Sequence, residues 1–175
     1  MFGYYSGARL TDLSRLNWSN IDLTEKTIVF RQQKTGKKIT VPIHPAIETY
    51  LLSLPSSDAP SSPLFPSLNG KLPGGKLGLS TGFKKIMTRV GIDPATVREG
   101  KGSLGRSLSA LSFHSLRHSF NQELLRAGVP QEFRMQLTGH SSEKMNAIYS
   151  HEDLAGLYAH VAKVPTLPKV EGGQS

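Results

Sequence analysis

The chain contains no cysteine, which excludes disulfides and thiolate metal sites and agrees with a reducing intracellular compartment. It has no apolar run approaching the roughly 18 residues of a membrane span, and Met1 to Tyr5 has no basic n-region. The expectation is a cytoplasmic protein. Acidic residues are in the minority, 13 Asp and Glu against 21 Lys and Arg, giving a net charge of +8 and a pI near 9.8. Such a balance points to a polyanionic partner, with nucleic acid first. The excess is concentrated early: residues 1–90 carry 12 basic and 5 acidic side chains, residues 91–175 carry 9 and 8. A phosphate-binding surface should therefore draw mainly on the first half. No internal repeat is evident. The length of 175 residues and 37% hydrophobic content suit one globular domain with a sizeable core.

Hydrophobic periodicity gives the element order. Leu10, Leu13 and Leu16 recur three apart after Arg9, which predicts a short helix with Asp12 near its positive end. Thr27 to Arg31 and Lys38 to Val41 are β-rich runs joined by a turn around Lys34 to Lys37, which predicts a small antiparallel sheet, with Trp18 supplying core at its start. Pro45 to Leu54 reads as a helix. Pro55 to Gly78, rich in Pro, Ser and Gly, reads as a surface connection anchored by Leu64 and Phe65. Phe83, Ile86, Met87 and Val90 form a helical stripe, and Asp93 to Leu111 reads as a mobile excursion. A helix after Ser112 places His114, Arg117, His118 and Asn121 on one side, beside an apolar side of Leu116, Phe120 and Leu124. Gly128 and Pro130 separate it from a short helix through Met135 and Leu137. Ser141 or Ser142 can cap a further helix carrying Ile148 and Tyr149. The fold class is α+β, mostly α-helical with a small antiparallel β-sheet near the N-terminus.

The chemistry-bearing residues are Arg9, the run His114 to His118, Gly139 with His140, and Tyr149. Arginine offers a permanently charged planar fork for phosphate oxygens, and histidine moves a proton or donates a hydrogen bond near neutral pH. A tyrosine hydroxyl can act as a nucleophile, so the set suggests phosphoryl transfer through a phosphotyrosine. A competing reading is zinc held by His114 and His118 at i,i+4 with His140 as third ligand. It is the weaker reading: no glutamate follows the first histidine, cysteine is absent, and Arg117 on the same face opposes a dication. His118 is then a hydrogen-bonding residue behind the site. His44 and His160 carry no motif.

From Gly7 to His151 the chain resembles the catalytic domain of the tyrosine recombinase, or phage integrase, family. The first arginine of that family falls on Arg9 in Ser6-Gly7-Ala8-Arg9, and its hairpin lysine on Lys34 in Lys34-Thr35-Gly36-Lys37, with Lys37 as runner-up. Its histidine and second arginine fall on His114 and Arg117, its later histidine on His140, and its nucleophile on Tyr149, just ahead of His151. Six positions in order are far more specific than any one of them. The resemblance implies a DNA-cleaving and rejoining enzyme, a site-specific recombinase or integrase. Tyr149 would attack a phosphodiester, forming a 3′-phosphotyrosine link and releasing a 5′-hydroxyl. It implies no metal and no cofactor, because Arg9 and Arg117 can stabilise the phosphorane. Lys34 would protonate the leaving oxygen, and His114 and His140 would hydrogen-bond the phosphate or accept the phenolic proton, which of them being open. Asp12 would buttress a neighbouring cation and His151 shape the nucleophile's surroundings. Arg31, Lys37, Lys38, Lys84 and Lys85 are expected to contact the backbone of double-stranded DNA.

Residues 1–162 are expected to form the catalytic domain and 163–175 a flexible tail. Leu154, Leu157, Tyr158 and Val161 follow i, i+3, i+4, i+7, a narrow amphipathic helix. It could cover its own core; by family resemblance residues 152–162 are expected instead to dock on an adjacent protomer, giving self-association on DNA. Only eight residues precede Arg9, where family members have a helical core-binding domain. The expectation is a fragment with weak, salt-dependent DNA binding and weak activity. Two other readings compete: a type IB topoisomerase-like relaxing activity, and a noncatalytic basic DNA-binding module.

Overall fold

A computed structural model describes residues 1–55, 59–94, 96–98, 108–139 and 151–167. Among these, α1 (Phe2–Ser6) and α2 (Leu10–Leu13) lead through a 3-10 turn (Trp18–Asn20) into β1 (Ile21–Asp22), β2 (Thr27–Arg31) and β3 (Lys38–Pro42). Then follow α3 (Pro45–Ser53), α4 (Leu79–Arg89), β4 (Thr96–Arg98), β5 (Leu108–Ser109), α5 (Phe113–Arg126), α6 (Gln131–Thr138) and α7 (His151–Val161). The expected α+β class holds.

The sheet is antiparallel in the order β1-β2-β3. Strand alternation decides its faces: Ile28 opposes Val41 and Phe30 opposes Ile39, and all four are buried. The turn between β2 and β3 falls on residues 32–37, where the lysines were expected. α3 starts at Pro45, whose missing N–H costs nothing in a first turn, and inserts Ile47 and Leu51 into the core. α5 adds Phe120 and Leu124, and α6 adds Leu137. The Pro/Ser/Gly-rich connection is anchored as expected: the Leu64 N–H donates to the Leu16 carbonyl at 2.7 Å, and Phe65 meets Phe2 edge-to-face with centroids 5.0 Å apart.

Four expectations change. α1 was not anticipated, because a single turn is too short for periodicity to register; Phe2 and Tyr5 nevertheless bury. α4 forms, but Ile86 is 57% and Val90 64% exposed, so only Met87 of that stripe belongs to the core. The stretch from Asp93 to Leu111 includes an antiparallel pair, β4 with β5, rather than being wholly irregular.

The fourth concerns the C-terminal helix. Leu157 and Val161 are buried in this chain's own core, and Lys26 lies over the Tyr158 ring at 5.3 Å. α7 therefore packs in cis, where the family resemblance implies docking on a second protomer. The packing continues past residue 162, into the segment assigned to the tail: Val164 is buried, and the Leu167 N–H donates to the Tyr5 hydroxyl at 2.6 Å. Burying these apolar side chains is worth about 1.5–3 kcal/mol each, which favours closing the helix on its own domain.

His44, which carries no sequence motif, fastens this arrangement. Its Nδ1 accepts the Ala46 N–H at 3.0 Å, capping α3, so the ring proton sits on Nε2 and is donated to the Val164 carbonyl, also at 3.0 Å. Tyr5 stacks on the ring with centroids 4.0 Å apart. Burial lowers the His44 pKa from its ordinary 6.5, partly offset by the Val164 carbonyl. The unfolded chain then binds a proton that the folded chain resists. Stability is fully present above about pH 6.5 and declines as pH falls toward the lower folded value. The melting temperature is expected to drop between pH 7.5 and 5.5, and His44→Gln to remove part of that dependence; an unchanged pH profile in the variant would refute the assignment.

Candidate active site

Arg9 is presented by an elbow. α1 ends at Gly7 in the left-handed conformation, φ +60°, and Arg9 is the N-cap of α2, its carbonyl accepting the N–H groups of Asp12 and Leu13 at 3.0 Å. A Cβ on Gly7 would stand 2.4 Å from a ring carbon of Phe120, so the elbow can seat against α5 only with glycine there. Asp12 is buried one turn along. Its Oδ2 is 3.9 Å from Arg9 Nη1, and its Oδ1 accepts the Gln33 N–H at 2.9 Å. Burial pushes the Asp12 carboxyl above the usual carboxylate range, against the Gln33 amide and the charges of Arg9, Arg117 and Arg15.

Arg117 comes from the middle of α5, whose Ser112 forms a reciprocal cap with Ser115. It is 3% exposed, and Nη1 donates to the Gly7 carbonyl at 2.8 Å. A buried guanidinium needs such partners. Burial and the nearby Arg9 charge lower its pKa to about 10, opposed by Asp12. That is still far above neutrality, so Arg117 is cationic. Arg9 and Arg117 lie close enough to influence one another, although they are remote in sequence.

His114, one turn before Arg117, joins two openings. A cleft of about 240 Å³ is lined by Arg9, Thr11, Phe83, Lys84 and His114; a neighbouring one of about 340 Å³ is lined by His114, Arg117, His118, Asn121, Arg134 and Thr138. The His114 and His118 rings meet edge-to-face at 4.8 Å. Burial, followed by His118, Arg117 and Arg9, lowers the His114 pKa, which favours the neutral ring. A neutral imidazole among cations can donate to a phosphate oxygen or accept a proton.

The remaining expected residues fall in three places. Lys34 is exposed in the β2–β3 turn; Arg31 and Lys38 pair across the strands, and Arg31 Nη1 donates to the Gly36 carbonyl at 3.2 Å. Lys37 is in the same turn, its carbonyl accepting the Gln32 N–H. Lys84 is in the Arg9 cleft, and Lys85 is exposed beside it on α4. His140 and Tyr149 lie outside the described residues, and of His151 only the backbone position at the start of α7 is described. Among the described residues, no three His, Cys, Asp or Glu side chains form a metal-holding group, and no helix is long and apolar enough to cross a membrane.

Two neighbours of the site escaped the sequence reading. Arg134 joins α6 to α5, its Nε donating to the Val129 carbonyl at 3.1 Å and its Nη1 to Asn121 Oδ1 at 3.2 Å. Gln32 is buried under the hairpin. The alternation Ile28, Phe30, Gln32 places it on the inward face, a signal present in the sequence.

A model of the phage integrase family matches residues 1–155. A tyrosine recombinase XerC from Roseiflexus sp. is 30% identical over 181 residues, covering 97% of this chain and 51% of the relative. A XerC from Haemophilus ducreyi is 32% identical over 165 residues, covering 92% and 47%. The chain thus spans about half the length of the curated relatives it matches. An integrase from mycobacterium phage Brujita has the same fold, with a TM-score of 0.62 at 19% identity, covering 94% of this chain and 49% of that one.

Proposed function

The chain belongs to the phage integrase family, and on that premise we propose that residues 1–162 break and rejoin double-stranded DNA at specific sites through a 3′-phosphotyrosine. The observation that carries this reading is the convergence of Arg9, Arg117 and His114, from the α1–α2 elbow and from α5, on two adjoining clefts.

In the proposed reaction the Tyr149 oxygen attacks phosphorus, and the P–O5′ bond breaks. The phenolic proton passes to a base, with His114 or His140 as the acceptor. Lys34 gives a proton to the departing O5′, while Arg9 and Arg117 balance the charge gathering on the non-bridging oxygens. One phosphodiester is exchanged for another, so no nucleotide is consumed, and the guanidiniums take the role that a metal plays elsewhere. Arg31, Lys37, Lys38, Lys84 and Lys85 would hold the duplex backbone. Asp12 steadies Arg9, and His151 borders the nucleophile. Self-association on DNA belongs to this reading. Any exchange of α7 between copies must first withdraw Leu157 and Val161 from their cis seat.

The test uses a random-sequence pool of nicked duplexes, on which a cleaved strand end diffuses away and leaves the protein attached. Wild-type protein is expected to yield DNA-linked species that survive SDS, and Tyr149→Phe none. No adduct from the wild type would favour a binding module. Supercoil relaxation without strand exchange would favour the topoisomerase-like alternative.

A further inference from the structure

Lys34 stands on a turn whose base is tied on two sides. On one side the Gln33 N–H is bound to Asp12, the partner of Arg9. On the other, Gln32 is bound through both its main chain and its side chain. Its main-chain N–H donates to the Lys37 carbonyl at 2.9 Å and its carbonyl accepts the Gly36 N–H at 2.8 Å, closing the turn. Its side-chain Oε1 accepts the Thr35 hydroxyl at 2.8 Å, and its Nε2 makes a long 3.4 Å donor contact to the Thr138 carbonyl.

The Thr138 contact falls at the end of α6, where the last carbonyls of a helix need donors from outside it. Gly139 follows in the left-handed conformation, φ +67°, and a Cβ there would stand 2.2 Å from Gln32 Nε2. Gln32 is therefore pressed against the peptide that immediately precedes His140. The amide side chain thus bridges the turn to the end of α6.

We propose that Gln32 is a positioning residue that holds the Lys34 turn in register with the Thr138–Gly139 end of α6, so that the proton donor is fixed relative to the Arg9 and Arg117 site. This rests on the strand-cleavage reading above. Gln32 itself touches no reacting atom. Its loss should damage the step that needs Lys34, protonation of O5′, and leave attack by Tyr149 largely intact.

A duplex recovered from the random pool is remade with oxygen or with sulfur at the cleaved 5′ bridging position. Sulfur departs as a thiolate, since a thiol has a pKa near 8.5 and needs no proton donor. Gln32→Ala is expected to slow adduct formation about 10- to 100-fold on the oxygen substrate and by no more than about 3-fold on the sulfur substrate. Thr35→Val, at an exposed position that keeps the fold safe, should show the same selectivity with a smaller loss. In parallel, amide hydrogen exchange of residues 33–37 should quicken in both variants without DNA. Equal losses on the two leaving groups, or exchange identical to wild type, would overturn the proposal. If the wild type recovers no covalently attached duplex from the pool, the cleavage reading fails and the role of Gln32 falls with it. That result is distinct from a selective or unselective defect in the variants.

Discussion

Arg117→Lys is expected to lower the rate of covalent DNA attachment about 10²- to 10³-fold, the usual consequence of removing one preorganised donor from a developing charge, while changing duplex affinity only a few-fold. The expectation follows from how Arg117 is held. One Nη is committed to the Gly7 carbonyl at 2.8 Å, in a setting where the side chain is almost wholly enclosed. The planar fork lets the same group serve that carbonyl and still offer other N–H vectors to phosphate. An ammonium is a point charge and cannot satisfy both directions with fixed geometry. Arg117→Ala should be equally inactive and also less stable, because the Gly7 oxygen loses a charged donor worth about 1.5–3 kcal/mol. The discriminating measurement is single-turnover adduct formation beside binding and thermal melting. Lysine restoring the rate to within a few-fold of wild type would mean that Arg117 contributes charge alone.

Gly7→Val should be the most destabilising single change near the site. A β-branched residue at φ +60° is a backbone outlier, and its Cβ would begin 2.4 Å from the Phe120 ring. Left-handed strain of about 1–2 kcal/mol and overpacking of about 1–3 kcal/mol add to roughly 2–5 kcal/mol. For a domain of this size that lowers the melting temperature by on the order of 10 °C. Activity should fall further than stability explains, even at temperatures where the variant is folded, because the same elbow presents Arg9 and the carbonyl that holds Arg117. A folded variant with wild-type adduct formation would show that the elbow is not what aligns the two arginines.

What could be read from the sequence was whatever repeats along the chain. β2 and β3 were legible because Ile28, Phe30, Ile39 and Val41 alternate and one face buries. α5 and α6 were legible because Ser112, Gly128 and Pro130 punctuate strong periodic segments. Periodicity reports that a face is apolar but not what covers it. Hence the α4 stripe left Ile86 and Val90 in solvent, and the α7 stripe was assigned to a second protomer when it closes on its own core. The meeting of Arg9 with Arg117 came from family resemblance, since no spacing rule joins positions so far apart. His44 and Gln32 lacked any motif. Their roles arise only when Val164 or Thr138 is folded against them, and such pairings are not encoded locally.

The acceptor that orients Arg117 is a peptide oxygen. Every amino acid placed at position 7 would carry that same oxygen, so no codon change there can delete it; only a change in the path of the main chain can turn it away. The guanidinium is therefore indifferent to the identity of its partner and sensitive to its shape, and a variant scan around this contact should read out bend rather than functional group.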